Sequence, residues 1–358
     1  MDAAAFLSKL TEWYHGHGRD LPWRRTRDPY AIWLSEVILQ QTRIAQGQAY
    51  WERFMRHFPT VTDLAEATED EVLKLWQGLG YYSRARNLHA AARQIVAMGH
   101  FPDTLKTISQ LKGVGDYTAS AIAAFAFDRP AVAIDGNAYR VFARLLGIAT
   151  PINTTEGRHE FRLAGERLFG LTTEDISRQT TEGKTHTARP QVSGVSWREA
   201  NSALMDLGAT VCTPQSPQCD GCPLADDCVA CHEGLTDRLP VKRKTVKTKT
   251  RHMAFVWMRC RGKVALRRRG EGDIWQGLWE PPLYEDVPVP ALDGRLTLLQ
   301  QGIRHTLTHR IIVADFYLLE TDKRPPLPAD DYVWVAEENI GHYAVPRLIE
   351  KLQALIRA

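Results

Sequence analysis

Five of the six cysteines in this 358-residue chain lie between Cys212 and Cys231, and thiolates are strong metal ligands. Four of them have the spacing C-x6-C-x2-C-x5-C: Cys212, Cys219, Cys222 and Cys228. Structural zinc sites usually contain two C-x2–4-C pairs, and this run contains one. Four thiolates suit a [4Fe–4S] cluster, which we predict here, with zinc as the alternative. Cys231 lies just outside the spacing, and Cys260 is expected to be a core thiol.

Two acidic residues occupy positions where a carboxylate could take part in catalysis. Glu36 lies in the segment Ile32–Thr42, which is apolar nearly all round, so burial should raise its pKa. A core carboxylate satisfied by a neighbour is the alternative for Glu36. Asp135 precedes the predicted helix Ala138–Leu146 and could simply cap its N-terminus. We expect Asp135 to be both a cap and a catalytic group.

A glycine-containing turn precedes Asp135 by about twenty residues. In the segment Leu111–Ala119 one helix ends, Gly113 and Gly115 form a tight turn, and a second helix begins. Backbone N–H groups in such a helix-hairpin-helix turn point outward and can bind a DNA phosphate. A G-x-G turn alone is weak evidence, and the acid that follows it strengthens the prediction.

These residues must be positioned by a predominantly helical region, which extends to about residue 230. Helical periodicity is clear in Asp63–Trp76, Ala85–Ala97 and Tyr117–Phe127. The polar stretch Thr172–Ser196 is predicted to be a mobile surface insertion. After residue 250 the pattern changes to strands and a last helix, which predicts an α+β domain: His252–Arg259, Lys263–Leu266, Ile311–Leu319 and Pro346–Arg357.

Composition and charge set further limits. The chain is 44% apolar and 24% charged, its net charge is +3, and it has no run of eighteen apolar residues. Met1–Tyr14 has the pattern of an amphipathic helix, which favours a cytosolic or nucleoid protein. Basic residues cluster between Lys242 and Arg251 and at Arg267–Arg269. Either run alone is typical of a solvated surface or linker. Together with the other DNA-binding signals of the sequence, both runs become candidates for phosphate contacts.

Residues 1–230 resemble the iron–sulfur helix-hairpin-helix glycosylases, and within them the MutY-type adenine DNA glycosylases. The resemblance rests on the four cysteines and on five segments: Leu21–Arg24, Ser35–Thr42, Gly78–Arg84, Gly113–Tyr117 and Asp135–Asn137. Endonuclease III-like members have a Schiff-base lysine where this chain has Tyr117. The resemblance therefore implies a hydrolytic glycosylase without strong lyase activity.

The resemblance also implies roles for the catalytic residues. Protonated Glu36 would donate to N7 of adenine and later activate water. Ionised Asp135 would stabilise the cationic sugar, and the family mechanism allows a transient covalent adduct, as in retaining glycosidases. Asn137 would orient the carboxylates, and Tyr117 would support Asp135.

Several other positions are expected to contact DNA or the flipped base. Trp23 and Arg24 would line the adenine pocket, and Gln41, Leu79 and Tyr81 would fill the gap around the orphaned base. Core packing is the alternative for Trp23 and Tyr81. The full set of DNA and base contacts in this region is Trp23, Arg24, Gln41, Thr42, Leu79, Tyr81, Gly113 and Gly115. Ser202 departs from relatives, which often have Gln or Glu there.

The C-terminal region resembles the MutY-specific domain, which has a Nudix-like fold. It lacks the acidic Nudix box, so nucleotide hydrolysis is not expected. The family's Phe-Ser-His loop, which reads 8-oxoguanine, corresponds here to Leu307-Thr308-His309, so Thr308 and His309 become candidate readers. A strand-edge histidine is the alternative for His309. The predicted domains are a helical glycosylase domain at 1–230, a basic linker at 231–250 and a Nudix-like domain at 251–358.

The predicted function is removal of adenine opposite 8-oxoguanine or guanine in double-stranded DNA, after the base is flipped out of the helix. We expect a monomer without a membrane partner. There are three alternatives: an endonuclease III-like or thymine-mismatch glycosylase, a lesion-binding protein without turnover, and a Nudix hydrolase. Tyr117 and the long C-terminal region disfavour an endonuclease III-like enzyme. The Glu36–Asp135 pair disfavours the second alternative, and the missing Nudix box disfavours the third.

Overall fold

The computed structural model describes residues 1–172, 175, 195–243 and 248–357, and the chain forms two compact units. The first unit contains Met1–Ala65 and Ala90–Lys244, and the second contains Glu66–His89 and Thr245–Ala358. This grouping differs from the predicted domains at 1–230 and 251–358, because residues 66–89 belong to the same unit as the C-terminal region. Most of Thr172–Ser196, predicted to be a mobile insertion, lies outside the described residues.

Helices dominate the chain up to residue 232. In chain order they are α1 Ala3–His17, α2 Pro29–Leu39, α3 Ile44–His57, α4 Val61–Glu66, α5 Glu69–Trp76, α6 Ser83–Met98, α7 Leu105–Ile108, α8 Asp116–Phe127, α9 Gly136–Leu146, α10 Thr155–Leu168, α11 Trp197–Thr210 and α12 Val229–His232. Short 3-10 turns occupy Pro22–Arg24, Cys219–Gly221 and Ala225–Asp227. No helix in the described part of the chain has the length and apolar character needed to cross a membrane.

Helix α2 is the central element of the first unit. Its N-terminus is capped by Asp28, whose side chain accepts from the N–H of Tyr30, and proline occupies its first position. Nine of its eleven residues are buried, as the apolar sequence predicts, because α2 packs against both α3 and α8. Helix α9 packs in turn against α10 and α11, and aromatic contacts of Phe6 with Phe142 and Phe169 join α1 to this core.

The second unit is built on a seven-stranded mixed sheet. Its strands are β1 Lys249–Cys260, β2 Lys263–Arg268, β3 Trp279–Glu280, β4 Leu283–Glu285, β5 Arg295–Thr306, β6 Arg310–Thr321 and β7 Val333–Ala336. The order is β3-β2-β1-β6-β5, with β4 paired to β1 and β7 to β2. Only the β1–β6 pairing is parallel among the described strands. The helix α13, Arg347–Arg357, buries Leu348, Ile349 and Leu352 in a hydrophobic core that it shares with residues of the sheet. The predicted α+β fold is therefore confirmed.

Helix α5 belongs to this second unit through side-chain contacts. It begins with a capping box between Thr68 and Glu71. Lys74 Nζ donates to the carbonyl of Tyr343 at 3.1 Å, and the Gln77 amide donates to Glu350 at 2.5 Å. These partners are far apart in sequence, so periodicity alone could not predict them.

The basic run Arg267–Arg269 is used inside the second unit, which corrects its interpretation as a set of phosphate contacts. Arg269 pairs with fully buried Glu280 and with Asp273, and Arg267 also pairs with Glu280. Arg251 likewise pairs with Asp273 and Glu285. A buried carboxylate needs such a partner, because an unpaired charge in the core costs several kcal/mol. Lys244 and Lys247 lie outside the described residues.

Candidate active site and cysteine cluster

A cavity of about 300 Å³ in the first unit brings together residues that the sequence spreads over more than a hundred positions. Eight residues predicted to act on DNA or the base line it: Trp23, Arg24, Glu36, Gln41, Thr42, Tyr117, Asp135 and Asn137. Helices α2 and α8 and the residue that caps α9 supply the acidic and phenolic groups, and the Pro22–Arg24 turn supplies one wall.

Glu36 is a buried acid of the cavity with a strongly raised pKa. Glu36 is 7% exposed, and this burial raises its pKa to about 7. The Tyr117 hydroxyl donates to Glu36 Oε2 at 2.6 Å and lowers this pKa, whereas nearby Asp135 raises it and Arg24 lowers it. A carboxyl with a pKa near neutrality can both give and accept a proton under physiological conditions.

The partner of Tyr117 differs from the expectation that it would support Asp135. Its hydroxyl is hydrogen-bonded to Glu36, which lies on the facing helix α2. Burial raises the pKa of Tyr117 well above its usual value, and the charges of Glu36 and Asp135 act in the same direction. Tyr117 is therefore a fixed neutral donor to Glu36.

Asp135 is held by three N–H donors and caps α9 as predicted. Its Oδ1 accepts from the backbone N–H groups of Asn137 at 2.9 Å and Ala138 at 2.8 Å. The Asn137 side chain donates to Oδ2 at 2.7 Å and accepts from Arg140 at 2.8 Å. Burial nevertheless raises the pKa of Asp135, although these donors lower it. The structure thus links Asn137 to one carboxylate, Asp135.

Two contacts from α11 fix the backbone around Asp135, and sequence reasoning missed both. The buried amide of Asn201 accepts from the N–H of Ala133 at 2.7 Å and donates to the carbonyl of Ala131 at 2.8 Å. Gly208 allows α9 to approach closely, because a Cβ at this position would lie 2.6 Å from that of Asn137. No simple sequence signal distinguishes these two residues, because α11 contains several other polar side chains.

A buried ion-pair network forms the cavity wall around Arg24. Both Nη atoms of Arg24 donate to Asp206, at 2.7 and 2.8 Å, and Arg19 donates to the same carboxylate. Asp206 is fully buried, and although burial raises its pKa, the arginines hold it below the ordinary value. Trp23 is 6% exposed and packs edge-on against Trp51, so it serves both the core and the cavity.

Arg198 is a further cavity residue that the sequence analysis did not identify. Its guanidinium donates to the carbonyls of Phe125 at 2.9 Å and Thr26 at 2.7 Å, and also to that of Arg24. It therefore joins α11 to the end of α8 and to the turn that carries Trp23. Ser202 is buried one turn later on α11 and does not line the cavity.

The predicted phosphate-binding turn has free donors. Gly113 has a φ of 76°, in the left-handed region that favours glycine, and Gly115 caps α8. Both glycines are exposed, and within the described residues their N–H groups donate no hydrogen bond. The neighbouring N–H of Lys112 donates to Gln94 at 2.7 Å, which anchors the turn. Gln41, at the cavity edge, also has a positive φ, of 57°.

The remaining predicted contact residues belong to the second unit. Thr308 and His309 form the exposed turn between β5 and β6. The hydroxyls of Tyr81 and Thr308 are 2.9 Å apart and share a hydrogen bond. Tyr81 is 51% exposed with a φ of 46°, and Leu79 is half-buried in the same loop. A strained and exposed aromatic residue is typical of a functional loop.

The four spaced cysteines line one small cavity of about 30 Å³ in the first unit, together with Cys231. Arg144 donates to Cys212 Sγ at 3.4 Å, and its carbonyl accepts from the Cys228 thiol. A single zinc ion needs its ligands at about 2.3 Å from one point. Among the described residues no group of three or more His, Cys, Asp or Glu is placed to hold one ion. The donor set, four thiols around a shared cavity, is the one that binds an iron–sulfur cluster.

Three family models match the chain. The model described as HhH-GPD superfamily base excision DNA repair protein matches residues 34–164. The iron-sulfur binding domain of endonuclease III matches 212–228, and a NUDIX domain matches 253–355. These matches confirm the predicted combination of a helix-hairpin-helix glycosylase region, an iron–sulfur site and a Nudix-like region.

The individual proteins to which the chain is similar are also DNA glycosylases. An adenine DNA glycosylase of Mus musculus is 42% identical over 64% of this chain, which spans only 42% of that protein's length. An adenine DNA glycosylase of Buchnera aphidicola (strain Bp) is 32% identical over 79% of this chain and 75% of its own length. Among solved structures, a thermostable thymine-DNA glycosylase is 27% identical with a TM-score of 0.51, covering 64% of this chain and 95% of that one.

Proposed function

Because the chain belongs to the family of adenine DNA glycosylases, we propose that it removes adenine from double-stranded DNA by hydrolysing the N-glycosidic bond. The observation that carries the proposal is Glu36, a buried acid with a pKa of about 7 in one cavity with Asp135. Adenine is a poor leaving group until its ring is protonated, and a carboxyl with this pKa is a suitable general acid.

The proposed mechanism divides the work between the two carboxyl groups. Glu36 protonates N7 of the flipped adenine, and the C1′–N9 bond then breaks to leave a cationic sugar. Asp135 stabilises that cation or forms a transient bond to C1′, and Glu36 then accepts a proton from the attacking water. The three N–H donors on Asp135 orient its carboxylate, and they favour its ionised form against burial.

The reaction should end at base removal. No lysine lines the cavity among the described residues, and Tyr117 stands where lyase members of the superfamily have a lysine. The phenol of Tyr117 is neutral and bonded to Glu36, so it offers no amine for a Schiff base. We therefore propose a monofunctional enzyme.

The proposed substrate is adenine opposite 8-oxoguanine, with adenine opposite guanine as a second substrate. The exposed Thr308 hydroxyl and His309 ring would contact the damaged base, and Tyr81 would fill space in the duplex. The hydrogen bond between Tyr81 and Thr308 supports a shared role, because it brings two predicted contact groups together within one unit. The free N–H groups of the Gly113–Gly115 turn would bind a backbone phosphate.

The proposed cofactor is a [4Fe–4S] cluster bound by the thiolates of Cys212, Cys219, Cys222 and Cys228. When bound, it would cross-link the loop after α11, which otherwise contains only short 3-10 turns. Iron without zinc in anaerobically purified protein is the expected metal analysis, and zinc without iron would contradict the assignment.

Single-turnover base release tests the function. The wild-type protein should release adenine from an A·8-oxoguanine duplex, and Glu36→Gln should not. Glu12→Gln, a change at an exposed acid of α1, is the matched control and should leave the rate unchanged. Release of thymine from a T·G duplex instead, or no release from any mispair, would overturn the proposal. His309→Ala should reduce the preference for 8-oxoguanine over guanine, and an unchanged preference would remove His309 from the proposed readers.

A further inference from the structure

Arg198 is the polar residue that the start of α11 contributes to the cavity of the candidate active site. Arg198 and Met205 of this helix line the cavity, whereas Ser202, where relatives often have Gln or Glu, is buried outside the lining. We propose that Arg198 is a positioning residue for base release, whose guanidinium holds the Pro22–Arg24 turn in place against the end of α8. This inference rests on the proposed removal of adenine.

Both the backbone and the side chain of Arg198 are anchored to the C-terminal end of α8. Its backbone N–H donates to Asp128 Oδ1 at 3.0 Å, and Asp128 ends α8 with a φ of 50°. Its Nη1 donates to the carbonyl of Phe125 at 2.9 Å. The last carbonyls of a helix lack partners within the helix, and the helix dipole favours a cation beside them. Arg198 therefore supplies the end of α8 with a charged donor.

The same guanidinium holds the backbone that follows the Pro22–Arg24 turn. Its Nη2 donates to the carbonyl of Thr26 at 2.7 Å and also to that of Arg24. Asp206, about two turns further along α11, accepts from the side chain of Arg24. Helix α11 thus fixes this wall of the cavity at two points, once through its backbone and once through a side chain. Trp23, directly before Arg24, also lines the cavity.

The chemistry of arginine suits this role. In the part of the chain that the structure describes, the guanidinium of Arg198 forms no ion pair, and its three acceptors are neutral carbonyls. A guanidinium presents its donors in a rigid planar fork, so it can hold two segments at a fixed spacing, and the single nitrogen of lysine lacks this fork. Tyr117 lies in the first turn of α8 and donates to Glu36. The spacing that Arg198 sets therefore also places this acid relative to the opposite wall.

Single-turnover adenine release by the full-length protein tests the proposal. Arg198→Met removes the three side-chain hydrogen bonds and keeps an unbranched side chain. Its rate constant should fall by about tenfold to hundredfold, because misplaced reacting groups slow the chemical step. An unfolded fraction would lower the amplitude of release and not the rate constant. Duplex affinity, measured by fluorescence anisotropy in a Glu36→Gln background, should change less than the rate constant does.

Arg93→Met is the matched control for this change. Arg93 belongs to the first unit and donates to the carbonyl of Ala65 at 3.1 Å, and it does not line the cavity. The control removes an arginine–carbonyl bond of the same kind, so it should leave the rate constant unchanged. A rate constant that falls equally in Arg93→Met and Arg198→Met would contradict a specific role for Arg198.

Arg198→Lys separates the planar fork from its charge, and it also carries the test where Arg198→Met does not fold. It keeps the positive charge, and its rate constant should stay below that of the wild type. A wild-type rate constant in either Arg198 variant would overturn the positioning role, as would a loss of duplex affinity as large as the loss of rate. A wild-type protein that releases no adenine would instead overturn the proposed function, and this inference with it.

Discussion

The hydrogen bond from Tyr117 to Glu36 leads to a prediction about the pH dependence of base release. Tyr117→Phe removes one buried hydroxyl and leaves the ring in place. That hydroxyl donates to Glu36 Oε2 at 2.6 Å and stabilises the ionised carboxylate, which lowers the pKa of Glu36. Burial and the charge of Asp135 both raise the pKa of Glu36, and the Tyr117 hydrogen bond counteracts them. Without this hydrogen bond, the pKa of Glu36 should rise above its present value of about 7.

The size of this rise follows from the energy of the lost bond. A hydrogen bond to a charged group contributes about 1.5–3 kcal/mol, and one pKa unit corresponds to about 1.4 kcal/mol. The pKa of Glu36 should therefore increase by roughly 1–2 units. Since the general acid acts in its protonated form, the rate of the wild-type protein should fall above its pKa, and that of Tyr117→Phe should fall only at higher pH.

The assay is single-turnover adenine release over a pH range from below 6 to above 9. Normalised to the rate at low pH, the Tyr117→Phe rate at pH 8.5 should exceed the wild-type rate by about tenfold. Tyr30→Phe is the matched control, because Tyr30 is a buried tyrosine of α2 whose hydroxyl donates to the carbonyl of Phe58 at 2.8 Å. An alkaline limb that stays in place, or moves to lower pH, in Tyr117→Phe would refute the reasoning.

Four further predictions concern stability and binding. Glu36→Gln should raise the free energy of unfolding at pH 8 by about 3 kcal/mol and leave it unchanged at pH 4. The reason is that a carboxyl whose pKa is raised from 4.5 to about 7 destabilises the folded state only as the pH rises through that range. Urea titrations at both pH values measure this difference. Asp206→Asn should lower the free energy of unfolding by about 3–5 kcal/mol, because two arginines lose their buried partner. Gly208→Ala should displace Asn137 and reduce the single-turnover rate more than it reduces substrate affinity, as its Cβ would lie 2.6 Å from that side chain. Gly113→Ala should cost about 1 kcal/mol of stability at a φ of 76° and weaken binding to undamaged duplex, measured by fluorescence anisotropy.

The local features of the site could be predicted from the sequence. An acid in an apolar helix indicated the burial and raised pKa of Glu36, and an aspartate before a helix indicated the cap at Asp135. The three strands predicted after residue 250 correspond to β1, β2 and β6 within three residues at each end, whereas β3, β4, β5 and β7 were not predicted. Periodicity and capping depend on neighbours a few positions away, which is why these predictions hold.

The partners of long polar side chains could not be predicted. Arg24 pairs with Asp206, which lies 182 positions later in the sequence. The Tyr117 hydroxyl donates to Glu36 and not, as expected, to Asp135. The run Arg267–Arg269 has the composition of a phosphate-binding segment, yet its charges are neutralised by acids of the same unit. Partner choice is set by packing between distant segments, and residue type alone does not encode it.

The membership of residues 66–89 in the second unit has a consequence for synthesis of the chain. Lys74 and Gln77 find their partners at Tyr343 and Glu350, about 270 positions later. A chain emerging from the ribosome can close the contacts of the first unit once residue 244 is made, but this segment must wait for the last helix. During that interval Lys74 cannot form its hydrogen bond to the carbonyl of Tyr343. The loop with Leu79 and Tyr81 is thus completed last, so a chain that stops early would lack an ordered form of its predicted DNA-contacting loop.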